Sequence, residues 1–235
     1  MLFHILKDST LDFKQKMTYL VFSIIIVVFS LTIHELSHAL TASALGDNTA
    51  REKGRITLNP LKHLNPIGSI AMLLFGFGWA EPVPVNPLRF KKRHRMKSGM
   101  ALTAIMGPIA NLIISFIATF GAGLCLKGAL NNMSSYEEIA ASPLYLLYMF
   151  FYLMHVMNLY LAVFNLLPIP PLDGSKILFM FLPDRIYNKI MKYEQFIAIG
   201  LVILLYFGVF TGPLSIITDK MSDGMFKLVT LIIGS

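Results

Sequence analysis

A single cysteine, Cys125, is all the thiol chemistry this chain can offer. One cysteine excludes an internal disulfide and a thiolate zinc cluster, and Cys125 reads as a small apolar helix residue. Charge is scarce as well. Only 14% of the residues are Asp, Glu, Lys or Arg, where a soluble domain carries about 25%. With 55% hydrophobic residues and a mean hydropathy of +0.65, that scarcity excludes an ordinary soluble enzyme and points to an integral membrane protein. No Gly/Ser-rich linker or internal repeat divides the sequence, so a single integral-membrane domain over 1–235 is expected. Met1 to Lys16 holds Asp8 and Asp12 and lacks a small-residue cleavage site, so the first apolar run is not expected to be a removable signal.

The charges that exist are unevenly placed. Between Gly46 and Gly99 stand Arg51, Lys53, Arg55, Lys62, Arg89, Lys91, Lys92, Arg93, Arg95 and Lys97, against only Asp47, Glu52 and Glu81. The positive-inside rule places this region in the cytoplasm. Gly128 to Ser142 has Glu137 and Glu138 and no basic residue, and belongs outside. A net charge of +7 gathered in loops reads as membrane topology. The lipid bilayer is therefore the anionic partner, and no nucleic acid is expected.

Four apolar runs are long enough to cross: about Met17 to Leu45, Gly99 to Lys127, Pro143 to Leu167 and Phe196 to Ile217. Ile67 to Ala80 falls short of the ~20 residues a crossing needs and contains Gly68, Gly76 and Gly78, so it reads as re-entrant or interfacial. Phe226 to Ile233 is too short to cross unaided, and its path is open.

From Tyr19 to Ile33 there is no charged residue, and from Ala39 to Leu45 none either; between them stands His34-Glu35-Leu36-Ser37-His38. A charge at the middle of a membrane helix costs about 2.5–3.5 kcal/mol and demands a partner. Histidines at i and i+4 share a helix face and can grip one zinc ion, with the adjacent Glu35 handling the proton of a zinc-bound water. A zinc site needs a third protein ligand and an open position. The best candidate is Asp173, just past the third span in Asn165-Leu166-Leu167-Pro168-Ile169-Pro170-Pro171-Leu172-Asp173-Gly174. Its prolines break the helix, which is tolerated at membrane depth only where the break is buried in protein or lines a cavity. The chemistry is peptide-bond hydrolysis with Glu35 as general base and acid. The fold expected is an all-α polytopic membrane bundle of about four full spans, with re-entrant, short β and broken-helix segments around an intramembrane zinc site. Asn111 within the second span has a packing and a site-orienting reading. His155 either bonds between helices or connects to the cavity, while His4, His63 and His94 lie in polar flanks and read as solvated.

These motifs resemble the site-2 protease family of intramembrane zinc metalloproteases. The likeness runs from about Ser30 to Lys176 and includes His34 to His38, Gly54 to Pro60, Gly78-Trp79-Ala80-Glu81-Pro82-Val83-Pro84-Val85-Asn86-Pro87, Gly107-Pro108-Ile109-Ala110-Asn111, and Asn165 to Gly174. The resemblance implies one Zn2+ per chain held by His34, His38 and Asp173, a catalytic Glu35, and Asn165 orienting substrate or the oxyanion, a role that the site-orienting reading of Asn111 would share. It implies substrates that are membrane-spanning segments, cut to release a signalling fragment or clear a remnant. A multi-pass protein of the bacterial plasma membrane follows, with its active site toward the cytoplasm. A helical substrate must be unwound before cleavage, and Arg55, Ile56, Thr57 and Leu58, or Pro82, Pro84 and Asn86, could offer backbone to a substrate strand. The sequence leaves no room for the PDZ or nucleotide-binding modules of many relatives. Glu81 stands where a basic residue is common in the family. Substrate choice then rests on the core or on a separate regulatory membrane partner.

Two rival functions share some of these features. Histidine and glutamate in membrane helices also make metal-ion transporters, but these show paired broken helices from inverted repeats. A catalytically inactive scaffold would not require the complete set of ligands and base.

Overall fold

The computed structural model describes residues 12–75, 80–92, 96–132, 135, 138–139 and 142–234. The first helix, α1, is Phe13–Leu45. Asp12 starts it through a capping box in which its side chain accepts from the Gln15 amide and Gln15 answers to the Asp12 amide. Gly46 ends it with φ 109°, a left-handed conformation that glycine adopts without strain. At 1.5 Å per residue α1 is about 50 Å long, well beyond the ~30 Å apolar thickness of a bilayer.

Next comes a short helix, α2, Pro66–Phe75. Its ten residues rise about 15 Å, half of what a crossing needs. Leu64 pairs with Ala80 in an isolated antiparallel bridge, and the Glu81 amide donates to the His63 carbonyl at 2.8 Å. The segment thus leaves from and returns to one place, with Met72 packed on Ile26, Val27 and Leu31 of α1. That bridge is all the β structure among the described residues. The prolines at 82, 84 and 87 remove the donors a regular ladder would use. The Gly76 to Trp79 part of the expected re-entrant stretch lies outside the described residues, as do His4 and His94. His63 is not solvated as expected: it is fully buried, and its Nε2 donates to the Thr57 carbonyl at 2.8 Å.

Two long helices follow, α3 (Met96–Asn132) and α4 (Pro143–Asn165, capped by Ser142 on the Tyr145 amide). α1, α3 and α4 pack together, and each is long and apolar enough to cross a membrane. Beyond α4 the chain turns through 166–172 into α5 (Asp173–Phe179), which rests on α3. Then come α6 (Asp184–Met191), α7 (Glu194–Tyr206) and α8 (Thr211–Ile233).

The fourth span expected at 196–217 is not one helix, because α7 and α8 meet at a 78° bend. Pro213 cannot donate to the Val209 carbonyl and its ring would press on it, while Gly208 turns the chain at φ 72°. Three helices among the described residues are long and apolar enough to cross, or four with the bent pair counted as one broken span. The open path of the last residues resolves into α8. Leu214 packs with Leu159, Val163 and Phe164 of α4, Val229 lies against Gly123 of α3, and Lys127 Nζ donates to the carbonyls of Ile233 and Gly234. Buried His155 joins α3, α4 and α8: Nδ1 meets the Thr119 and Ser115 hydroxyls at 2.7 and 2.9 Å, and Nε2 meets the Ser222 hydroxyl at 2.8 Å. Of its two readings, the interhelical bond is the one realised.

Past Gly46, Asp47 is fully buried and ties the end of α1 to the segment after α2. Its carboxylate accepts from the Thr49 amide at 3.0 Å, the Thr49 hydroxyl, and the Asn86 amide at 2.6 Å. Burial alone would push this carboxyl up, but the three donors and Arg89 outweigh it and hold it below the usual carboxylate range. Asp47→Ala strands two amides and is expected to cost about 1–3 kcal/mol, read as a lower midpoint of thermal unfolding in detergent. Since the folded value lies below the unfolded ~3.9, the wild-type advantage over this variant is complete above that pH. It fades as the pH falls through the folded value.

Candidate metal centre

The sequence pattern at 34–38 puts both imidazoles on the face of α1 that meets α3. His34, Glu35 and His38 are buried, at 4%, 7% and 7% exposure, so each polar atom needs a partner within the protein. The rings lie 4.7 Å apart, edge to face, and one ligand atom from each of the three residues lies within 4.8 Å of the others. Asp173 comes from the opposite wall as the first residue of α5, and its Oδ2 is 3.1 Å from both His34 Nε2 and His38 Nε2.

Two glycines make this approach possible. A Cβ on Gly107 of α3 would sit 2.5 Å from His38 Nε2 and 2.7 Å from His34 Cε1, so any larger residue there displaces the rings. A Cβ on Gly174 would run into the backbone of Leu166 and Leu167, which lets α5 start against the end of α4. The broken, proline-rich run between them turns Asp173 back toward α1.

Protons are already assigned on the far sides of both rings. His34 Nδ1 faces Asn111 Oδ1 at 2.6 Å, and His38 Nδ1 faces the Thr103 carbonyl at 2.8 Å. Carbonyl oxygens only accept, so both Nδ1 atoms are donors and both neutral rings have a bare Nε2. Two nitrogen lone pairs and a carboxylate oxygen therefore converge with no proton of their own between them. Such a set needs a positive charge at its centre. Two imidazoles and a carboxylate with one side open to a cavity fit a catalytic zinc ion. Lys176 Nζ holds the other oxygen, Asp173 Oδ1, at 3.1 Å.

The open side is a cavity of about 390 Å³ lined by the His34, Glu35, His38 and Asp173 side chains and by Pro82, Val83, Val85, Met100, Asn165 and Glu194. Glu35 Oε2 accepts from the Val83 amide at 2.9 Å. Asn165 lines the cavity with its amide nitrogen bonded to the Leu161 carbonyl at 2.9 Å, which leaves its second N–H. Asn111 does not reach substrate space: it is fully buried behind His34, and it acts on that ring. Of the proposed strand residues only Pro82 lines the cavity, while Pro84 and Asn86 lie beside it. Arg55, Ile56, Thr57 and Leu58 stand off from it, and the Arg55 guanidinium donates to the Glu81 and Pro82 carbonyls. Val83, Val85, Lys176 and Glu194 also line the cavity, though nothing in the sequence assigned them a site role; the first two stood only within the Gly78 to Pro87 motif.

A family model described as Peptidase family M50 matches residues 22–207. YwhC of Bacillus subtilis (strain 168), whose name describes a zinc metalloprotease, is 39% identical over 216 residues, covering 92% of this chain and 93% of the relative. Rip2 of Mycolicibacterium smegmatis, also described as a zinc metalloprotease, is 27% identical over 220 residues, or 86% of this chain and 69% of the relative. Rip2 of Mycobacterium tuberculosis (strain H37Rv) is 26% identical over 177 residues, 74% of this chain and 62% of the relative. No solved structure matches the chain.

Gly107→Ala is expected to yield protein that folds but retains well under half of the wild-type zinc. Elemental analysis of purified protein after dialysis against a weak chelator checks this. Full retention would mean that the rings do not meet the metal where their present packing puts them.

Proposed function

The chain belongs to peptidase family M50, the site-2 type of zinc metalloprotease, and we propose that it hydrolyses peptide bonds within or next to the transmembrane segments of other membrane proteins. The observation that carries this reading is depth: the converging His34, His38 and Asp173 lie among the membrane helices, with His38 and His34 about 12 and about 18 Å along α1 from its Gly46 end. On this reading residues 1–235 are one membrane-embedded catalytic unit, with those three residues as the zinc ligands.

When bound, zinc supplies a Lewis acid that polarises a peptide carbonyl and acidifies water. The chain's own residues supply the rest. Glu35, one helical step from the ligands, takes a proton from the attacking water and hands it to the leaving amine. Its bond to the Val83 amide leaves Oε1 for that work. The remaining N–H of Asn165 is offered to the oxyanion.

A helical substrate hides its peptide bonds in its own hydrogen bonds, and an extended neighbour is needed to draw them out. Prolines at 82 and 84 carry no N–H and the Val83 amide is held by Glu35, so over 82–85 the Val85 amide is the donor left for a substrate strand, and Val85 lines the cavity. A substrate strand laid along this edge presents its carbonyls toward the zinc ligands. A cytoplasmic mouth for the cavity is the reading that the ten basic residues between Gly46 and Gly99 support. Substrate choice then belongs to the cavity walls or to a separate membrane partner.

Glu35→Gln keeps the ligand set and removes the base. In detergent, with single-span substrates, it is expected to cut at least about a hundredfold more slowly while binding zinc normally, and a chelator abolishes cleavage by the wild type. Cleavage that survives Glu35→Gln would sink the mechanism. Zinc flux into proteoliposomes without any cleavage would favour transport.

A further inference from the structure

We infer that Asn158 is a positioning residue for the metal site: through Asn111 it dictates which nitrogen of His34 carries the proton. The inference rests on the proposal that His34, His38 and Asp173 hold zinc, and it concerns how that site is kept ready.

A chain of four groups leads from a backbone carbonyl to the metal. Asn158 Nδ2 donates to the Met154 carbonyl at 2.9 Å, one turn back on α4. A backbone carbonyl can only accept, so the Asn158 amide has no choice of orientation and turns its Oδ1 outward. That oxygen accepts from Asn111 Nδ2 at 2.8 Å. Asn111 must then turn its own Oδ1 the other way, where it meets His34 Nδ1 at 2.6 Å. An oxygen at Nδ1 keeps the proton there and leaves Nε2 bare, facing Asp173.

Each step needs both ends of an amide, a donor on one side and an acceptor on the other. Asn111 and Asn158 are fully buried, so bulk water cannot stand in for either. The Ser30 carbonyl lies 3.4 Å from Asn111 Nδ2, beyond the usual hydrogen-bond range, and does not hold the amide by itself. Without the Asn158 oxygen only that long contact with the Ser30 carbonyl opposes a flip of Asn111. Its flipped amide would offer an N–H to His34 Nδ1, and the ring proton would move to Nε2, between the ring and Asp173. His38 has no such dependence, because its Nδ1 donates directly to the Thr103 carbonyl. The two zinc histidines are thus prepared by different means, one by backbone and one by two side chains from two other helices.

The test measures zinc affinity, by competition with a chromophoric chelator, on the purified full chain in detergent. Asn158→Leu removes the acceptor at similar volume and is expected to weaken zinc tenfold to a hundredfold. Asn158→Met, with a more adaptable side chain, carries the same expectation should the branched leucine not be accommodated. Asn111→Asp presents oxygen to His34 in either orientation, so Asn158→Leu placed on that background should bind zinc within threefold of Asn111→Asp alone. That rescue separates orientation from packing, since a purely structural role for Asn158 would be lost equally in both backgrounds. Wild-type affinity in Asn158→Leu overturns the inference, as does a double variant that loses affinity as steeply as the single one. Wild-type protein that binds no zinc overturns the site and this inference together, whereas wild type that binds it and Asn158→Leu that binds it equally overturn the inference alone.

Discussion

A carboxylate oxygen is held 3.1 Å from each of two imidazole nitrogens inside an apolar bundle, with the ring protons spent elsewhere. Left without a cation, that arrangement is repulsive, and much of the surrounding structure serves to maintain it. Gly107 clears the space for the rings, and Gly174 lets α5 begin against the end of α4. Asn111 and the Thr103 carbonyl fix the protons, and Lys176 occupies the second carboxylate oxygen. Each is a small local requirement, and together they leave one ion-sized position with a defined preference for a soft-to-borderline dication.

The second organising pressure is the hydrogen-bond demand of irregular backbone at membrane depth. Helices satisfy themselves, and every break must find partners within the protein. The run over 166–172 does so through short turns, with the Leu172 amide donating to the Ile169 carbonyl and the Ser175 hydroxyl bonded to the Leu172 carbonyl. The stretch over 80–91 does so by attachments spread along it, among them the Glu81 amide to the His63 carbonyl, Arg55 to the Glu81 and Pro82 carbonyls, Glu35 to the Val83 amide, Asp47 to the Asn86 amide, and the Lys91 amide to the Leu45 carbonyl. The irregular segments around the cavity are therefore anchored to regular ones, and the site inherits the rigidity of the bundle.

The site was more legible in the sequence than the fold at its C-terminal end. A carboxylate flanked by histidines within an uncharged run announces itself through its desolvation cost, and the prolines before Asp173 mark a chain that must turn inward. The length of 67–80 likewise argues against a crossing. By contrast, a hydropathy window over 196–217 sees only apolar side chains and passes over Gly208 and Pro213, whose backbone geometry splits the run into α7 and α8. His63 looked solvated because its neighbours in sequence are polar, yet folding places it under the turn that carries Thr57. Asn158 and Val83 were given no role of their own, because those roles depend on partners 47 and 48 residues away. Periodicity and composition do not register such contacts.

The alternation of proline and valine along the cavity wall has a consequence beyond catalysis. An extended segment normally has two edges, and either can recruit a stray chain and seed sheet growth. Here Pro82 and Pro84 offer no N–H to a stray chain, and the Val83 amide on the other edge is already bonded to Glu35 beside the cavity. Little of this backbone's donor capacity is then left to template aggregation in a crowded membrane.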